Sequence, residues 1–204
     1  MIAPFAYFYM PGELFHDDAA TTTSQIAADT ALFKAGMIAE TIIVGIEIVL
    51  VGLLWRLFRP VSRSLAMSSS FARGGEALIQ AVNVLLAGAV LIAVERGGLS
   101  GLSGDDRSEV VGLLVDTTQF GAMVWGLLFG LHLLLLGLLV RRSDLMPRWI
   151  GSLLMVASVG YLAQSYAHIV DTDLDGIFES VVIALSVPGE LAFAGYLLFR
   201  GVRR

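Results

Sequence analysis

The sequence contains no cysteine and few charged residues. Without a thiol, the chain can form no disulfide, no cysteine–metal site and no cysteine nucleophile. Only 15% of the residues are charged, against about 25% in soluble domains, whereas 56% are hydrophobic and the mean hydropathy is +0.79. This balance excludes an ordinary soluble domain and indicates that lipid surrounds most of the chain.

The motifs of several enzyme classes are also missing. Nothing in the sequence resembles a phosphate-binding loop, a zinc-protease signature or a nucleophile elbow. No basic segment precedes the apolar start of the chain, so this start is not typical of a secretory signal. Membrane orientation and anionic lipid explain the basic residues, and nucleic acid is therefore not expected as a partner.

Long apolar runs predict an all-α fold, because about 20 apolar residues in a helix cross the hydrocarbon core. The sequence predicts a polytopic transmembrane helical bundle, formed by one integral membrane domain over residues 1–204. Its five complete spans are expected at about residues 32–58, 75–94, 111–140, 148–169 and 177–199.

A shorter apolar and aromatic stretch, IAPFAYFYM, precedes these spans. We interpret this stub as the outer end of a first helix whose beginning is missing, and the alternative is an interfacial foot. Pro11 and Gly12 are expected to turn the chain into a polar segment after it.

The basic residues are distributed asymmetrically between the two sides of the predicted bundle. The positive-inside rule makes the richer side cytoplasmic, which places the C-terminus in the cytoplasm. Ten of the 13 Lys and Arg residues lie on that side: Arg56, Arg59, Arg63, Arg73, Arg141, Arg142, Arg148, Arg200, Arg203 and Arg204. In this interpretation Arg73 and Ser68–Ser70 belong to the connector between the first two complete spans.

Three segments carry a resemblance to a known family. They read LWRLFRPVSRSLA, HLLLLGLLVRRSDLMPRWIGSLLMVASVGYLAQSYAH and PGELAFAGYLLFRGV. Together they resemble the prokaryotic membrane family called domain of unknown function 4386, over nearly the whole chain. The resemblance implies a six-span fold in a prokaryotic plasma membrane, and it implies no activity. Met146, where a leucine is usual, and the acidic DTDLDG loop depart from the family pattern.

Ionisable residues inside predicted spans are the candidate functional residues, because such residues are costly in lipid. Helical rise places Glu47, His132 and Glu190 at similar depth, near the middle of three spans. With Asn83 they form the predicted midplane binding site, for a proton, a cation or a metal. Secondary candidates are Glu40, Asp116, Gln164 and His168. Alternatively, each residue bonds separately to a neighbour and only fixes helix packing.

Two further patterns suggest ligands or partners. Asp171, Asp173, Asp175 and Glu179 match the first part of a calcium loop, but Val182 stands where a bidentate glutamate belongs, so an ordinary acidic turn is the alternative. The break at Pro188 and Gly189, just before Glu190, is typical of a plain kink or of a helix that offers backbone ligands.

Three functional classes remain open at this point. The first is a small transporter or binding protein with a polar midplane site. The second is a non-catalytic accessory subunit of a larger membrane complex, and the third is an intramembrane enzyme acting on lipid. The expected partners are membrane lipids, together with a second copy or a larger membrane complex. Gly126 and Gly130 allow close helix contact, either within the protein or with a second copy. The sequence predicts no particular cofactor.

Overall fold

The structure, a computed structural model, describes residues 2–95, 99–170 and 175–201, except the side chains of Pro4 and of residues 175–185. Helices account for nearly all of this part of the chain, and no strand occurs in it. The bounds of α1 to α8 are Ile2–Pro4, Met10–Leu14, Ala19–Ala28, Thr30–Phe58, Arg63–Glu95, Gly104–Arg142, Arg148–Val170 and Asp175–Phe199, with a π-helical segment Phe5–Tyr9 between α1 and α2.

Four of these helices, α4 to α7, are long and apolar enough to cross a membrane. The chain is therefore an all-helical membrane protein, as the sequence predicted. The fifth span stays a prediction, because only Ser186–Phe199 of α8 qualifies as a shorter apolar helix among the described residues. Pro60 follows the end of α4, and Pro147 immediately precedes α7, in agreement with the poor fit of proline inside helices.

Two expectations about local structure were wrong. Pro11 and Gly12 do not end the first helical segment. The π-helical segment Phe5–Tyr9 continues directly into α2, which carries Pro11 in its first turn. The connector after α4 is also shorter than expected. Helix α5 begins at Arg63, and Ser68–Ser70 and Arg73 lie inside it.

The described residues form two compact units, each with its own core. Unit 1 consists of Met1–Ile46 and Leu78–Ala122, and unit 2 of Glu47–Ala77 and Met123–Arg204. The core of unit 1 contains Met10, Leu14, Ile26, Phe33, Val90, Ala93, Val111 and Val115. The core of unit 2 includes Phe58, Phe129, Leu133, Leu139, Ile150 and Leu154. The expectation of a single domain stays a prediction.

Glycines bring α6 and α7 into backbone contact within unit 2. A Cβ atom placed on Gly137 would lie 2.6 Å from the carbonyl oxygen of Gly151, and the reverse distance is also 2.6 Å. A Cβ on Gly130 would lie 3.2 Å from the carbonyl oxygen of Ser158. Glycines that let backbones approach closely are typical of membrane helix pairs. The glycine motif at Gly126 and Gly130 therefore serves packing inside the chain.

Candidate functional site

Polar side chains from five helices gather in unit 2. We call this group the polar cluster; it consists of Glu47 from α4, Ser69, Arg73 and Glu76 from α5, His132 from α6, Tyr161 from α7 and Glu190 from α8. Burial of this many ionisable groups in a membrane bundle is costly unless they interact with one another. Their contacts therefore decide what the cluster can do.

Arg73 and Glu76 form the central ion pair. One Arg73 guanidinium nitrogen lies 3.3 Å from Glu76 Oε1, and the Glu76 side chain is fully buried. The guanidinium also lies over the Phe129 ring, 5.9 Å from its centroid, which is within the range of a cation–π interaction. Arg73 is close enough to interact electrostatically with Glu47, Glu190 and His132 as well. One guanidinium thus faces three carboxyl groups.

The His132 ring is anchored to α5 through one nitrogen. Its Nδ1 atom lies 3.0 Å from the backbone oxygen of Ser69 and 3.0 Å from the Ser69 hydroxyl. A carbonyl oxygen only accepts hydrogen bonds, so Nδ1 carries the hydrogen and donates it. The other nitrogen, Nε2, is buried and has no hydrogen-bond partner among the described residues.

Glu190 pairs with α7. The Tyr161 hydroxyl donates to Glu190 Oε1 at 3.1 Å, and the Ser186 hydroxyl is a further hydrogen-bonding neighbour of Tyr161. Gly189 explains how α8 comes this close, because a Cβ on it would lie 3.0 Å from the backbone of Leu153. Helix α8 continues through Pro188, and Gly189 serves the packing of α8 against α7.

Several buried atoms of the polar cluster have no hydrogen-bond partner in the described part of the chain. They are Glu47 Oε2, Glu76 Oε1 and Oε2, Arg73 Nε and His132 Nε2. Glu76 Oε1 is held by the charge of Arg73 without hydrogen-bond geometry. Buried polar atoms in native proteins are nearly always paired with protein or water. The cluster therefore has spare acceptors from α4, α5 and α6.

Aromatic rings pack beside these polar groups. Trp125 and Phe129 stack with their centroids 4.9 Å apart, and Tyr161 meets Phe129 edge-on at 4.9 Å. The Phe129 ring also stacks on His132 at 6.2 Å. These residues form an aromatic wall on α6 and α7, next to the spare acceptors.

Comparison with known proteins identifies the family. The family described as "Domain of unknown function (DUF4386)" matches residues 1–201. The chain belongs to this family. The membership confirms the resemblance seen in the sequence.

One relative of this DUF4386 chain is an uncharacterized protein of Archaeoglobus fulgidus. It is 40% identical over 74 residues, which cover 36% of this chain and 41% of the relative. The matched segment thus spans less than half the length of either protein. No solved structure matches the chain.

The structure of this DUF4386 member distributes the predicted midplane residues over both units. Glu47, His132 and Glu190 belong to unit 2 and to the polar cluster. Asn83 belongs to unit 1, where it is buried beside Gly121. Three of the four predicted residues thus belong to the polar cluster, which also contains Arg73, and the set of four stays a prediction.

The secondary candidates have varied environments. Glu40 is half-buried in unit 1 and accepts a hydrogen bond from Gln80 at 3.1 Å. Asp116 is exposed, and Gln164 and His168 are half-buried on α7. The calcium-like residues Asp171, Asp173, Asp175 and Glu179 lie outside the described side chains. No group of three His, Asp or Glu side chains in the described part of the chain could hold a metal ion.

Sequence reasoning did not include Ser69, Arg73, Glu76 and Tyr161 in the predicted site. The signal was present: Ser69, Arg73 and Glu76 follow one another at intervals of four and three residues, and so share a helix face. Arg73 was assigned to a connector because a positive charge is typical of a cytoplasmic loop. The helix start at Arg63 corrects that assignment.

Proposed function

We propose that this DUF4386 member is a small membrane transporter or binding protein, and that the polar cluster is its solute-binding site. The observation that carries the proposal is the fully buried Glu76, whose carboxylate oxygens have no hydrogen-bond donor among the described residues. A purely structural polar network stabilises a bundle best when every atom is paired. Spare acceptors from three helices favour a solute that completes the network.

The orientation and location of the site are part of the proposal. We place the protein in a prokaryotic plasma membrane with its C-terminus in the cytoplasm. Removing the partly buried Arg73 from the ten residues of the basic side leaves nine, against Lys34, Arg96 and Arg107 on the other side. The asymmetry therefore survives the correction of α5. The apolar, exposed faces of α4 and α5 suit contact with lipid.

The test is a screen for stabilising solutes with purified protein in detergent. A bound solute raises the melting temperature, because it binds the folded state alone. We expect one chemical class of small polar solutes to stabilise the wild type and to lose its effect in Glu76→Gln. Asp116→Asn, which changes an exposed carboxylate, is the control. Uptake of the stabilising solute into proteoliposomes then separates a transporter from a binding protein.

The accessory-subunit alternative has a distinct outcome. If no solute in the screen stabilises the protein, the solute-binding proposal is wrong. A stoichiometric membrane partner that co-purifies from native membranes, together with that negative screen, would establish the accessory role.

The geometry of His132 disfavours one form of the enzyme alternative, a serine hydrolase with Ser69 as its nucleophile. Ser69 and His132 are hydrogen-bonded, but Nδ1 already donates to the Ser69 backbone oxygen. It therefore cannot take a proton from the Ser69 hydroxyl, as a general base in a serine hydrolase must. Labelling of Ser69 by a fluorophosphonate probe, absent in Ser69→Ala, would reverse this conclusion.

A further inference from the structure

We propose that the solute is a small organic cation with N–H donors, a primary amine or a guanidine, and that it exchanges with protons at Glu47, Glu76 and Glu190. This inference rests on the proposed function and specifies the substrate class of the same site. Four features of the polar cluster support it: its charge balance, its spare acceptors, its aromatic wall and the origin of its carboxyl groups.

The charge balance requires additional positive charge. Three carboxyl groups face the single guanidinium of Arg73. If all three are ionised, two negative charges remain uncompensated inside the bundle, where an unpaired charge is very costly. Protons or a cationic solute must supply the balance. An anionic solute would increase the imbalance. The Arg73 guanidinium already interacts with Glu76 and the Phe129 ring, and its Nε donor has no partner in the described part of the chain.

The spare atoms define the hydrogen-bonding pattern of the solute. Glu47 Oε2, Glu76 Oε2 and His132 Nε2 can accept hydrogen bonds and have no donor in the described part of the chain. An ammonium group has three N–H donors, and a guanidinium has up to five. Quaternary ammonium ions have none. No group of three His, Asp or Glu side chains in the described part of the chain could hold a metal ion. The spare acceptors match an organic cation with N–H donors.

The aromatic wall suits the rest of such a molecule. Phe129 stacks on His132 and lies under the Arg73 guanidinium. Tyr161 is hydrogen-bonded to Glu190, and Trp125 stacks on Phe129. Cations are attracted to aromatic faces, and apolar substituents pack against them. Arg73 over Phe129 shows the same kind of interaction within the protein.

The cation exchanges with protons because both bind to the same carboxyl oxygens. The empty site holds protons on its carboxyl groups to lower its charge. When the cation binds, a carboxyl O–H bond breaks and the proton leaves to solvent, while the carboxylate accepts an N–H bond from the solute. One positive charge enters for each proton that leaves, so the net charge of the cluster is conserved.

The carboxyl groups come from different helices, so exchange of the cation for protons changes the contacts between those helices. Glu47 lies on α4, Glu76 on α5 and Glu190 on α8. A cation held between them links three helices, whereas bound protons neutralise each carboxyl group separately. The two forms of the site therefore favour different contacts between these helices, as alternating access to a single site requires.

The experiment is calorimetric titration of the whole purified protein with benzylamine at neutral pH, in two buffers with different ionisation enthalpies. Matched probes are benzyltrimethylammonium, which lacks N–H donors, and benzoate, which is an anion. We expect benzylamine to bind and to release about one proton per molecule bound. Benzyltrimethylammonium should bind more weakly, and benzoate should not bind.

Two variants locate the binding. Glu47→Gln should weaken benzylamine binding by roughly ten- to hundredfold, since it loses a charge-assisted hydrogen bond. The control is Glu40→Gln, which replaces a half-buried carboxyl group of unit 1 that accepts a hydrogen bond from Gln80. It should leave the affinity for benzylamine unchanged. Proton release is measured on the wild-type protein, so the exchange can still be tested if Glu47→Gln misfolds.

The outcomes separate this inference from the proposed function. Binding of benzoate in place of benzylamine, abolished by Glu76→Gln, would overturn the cation and keep the solute site. Benzylamine binding without proton release would overturn the exchange. If Glu47→Gln binds benzylamine as tightly as the wild type does, the cation does not bind in the polar cluster and the inference is wrong. The absence of any probe binding would overturn the inference, while the wider solute screen decides the proposed function.

Discussion

At the scale of single residues, the ion pair of Arg73 and Glu76 is the most sensitive point of the polar cluster. Glu76 is completely buried, and Arg73 is its one cationic neighbour among the described residues. Breaking a buried pair leaves a charge without compensation, whereas replacing both partners with apolar groups of similar size is often tolerated. The pair therefore offers a direct test of how the cluster contributes to stability.

We predict that Arg73→Met lowers the free energy of unfolding by about 3–5 kcal/mol. The double variant Arg73→Met/Glu76→Met should recover most of this loss, because no unpaired charge remains. Arg63→Met, at an exposed arginine of the same helix, should change stability little. Unfolding in detergent measures all three. A double variant as unstable as the sum of its single variants would contradict the prediction.

A second residue-scale prediction concerns pH. Asp18 caps α3 and accepts hydrogen bonds from the Thr21 hydroxyl and the Thr21 amide, both at 2.7 Å. These bonds, above all the one from the hydroxyl, hold the pKa of Asp18 below its usual range. A lowered pKa in the folded state adds stability above the pKa of the unfolded state. That stability is lost as the pH falls through the lowered pKa.

We therefore expect the first turn of α3 to lose protection from hydrogen exchange in acid. Asp18→Asn should keep the cap, because asparagine also accepts from the amide, and should remove the pH dependence. Exchange is measured at the amides of Thr21 to Ser24 in both proteins. An identical pH dependence in Asp18→Asn would show that Asp18 is not its source.

At the scale of elements, the contact between α6 and α7 is set by backbone geometry. Gly137 and Gly151 face each other so closely that a methyl group on either would meet the carbonyl oxygen of the other. A carbonyl oxygen in a helix cannot move aside as a flexible side chain can. The helices must therefore separate if either glycine gains a side chain.

We predict that Gly137→Ala and Gly151→Ala each destabilise the protein by about 1–3 kcal/mol, the usual cost of overpacking. Gly52→Ala is the matched control, since nothing lies within 4 Å of its added methyl group. It should be neutral, or stabilising by about 0.5–1 kcal/mol through helix propensity. Equal effects in all three variants would attribute the change to propensity and not to packing.

The sequence was most informative about the long helices. The apolar runs predicted α4 to α7 because length and hydropathy are local properties that lipid requires of a span. The start of α5 was missed, since Arg63 and Ser68–Ser70 resemble a polar loop in composition alone. Helical spacing and burial by neighbouring helices override that composition, and neither is visible in a hydropathy run.

For the polar cluster, too, the sequence did not show which side chains pack against one another. Glu47, His132 and Glu190 could be proposed from sequence, because an ionisable residue in a span is rare and conspicuous. Depth along a helix does not tell which neighbours a side chain meets, so the contact of Asn83 with Gly121 could not be predicted. The role of Tyr161 depends on α7 packing against α8, a contact that the sequence does not encode in any local pattern.

At the scale of the whole molecule, the predicted orientation can be tested because the protein has no native cysteine. We expect Ser64→Cys to react with a membrane-impermeant maleimide only from the cytoplasmic side. Ser100→Cys should react only from the opposite side. Both serines are exposed. Labelling of both positions from one side of intact cells would overturn the predicted topology.

Helix α6 is much longer than the layer that it crosses. Its 39 residues span Gly104–Arg142 and correspond to about 58 Å, whereas the hydrocarbon core is about 30 Å thick. Tilt accommodates only part of this excess. We expect the end that carries Asp105 and Asp106 to extend beyond the lipid, because charged residues are costly inside it. A fluorophore attached there would have no flexible linker below it. Because α6 is one continuous helix, the height of that fluorophore above the lipid would measure the tilt of the transmembrane part of α6.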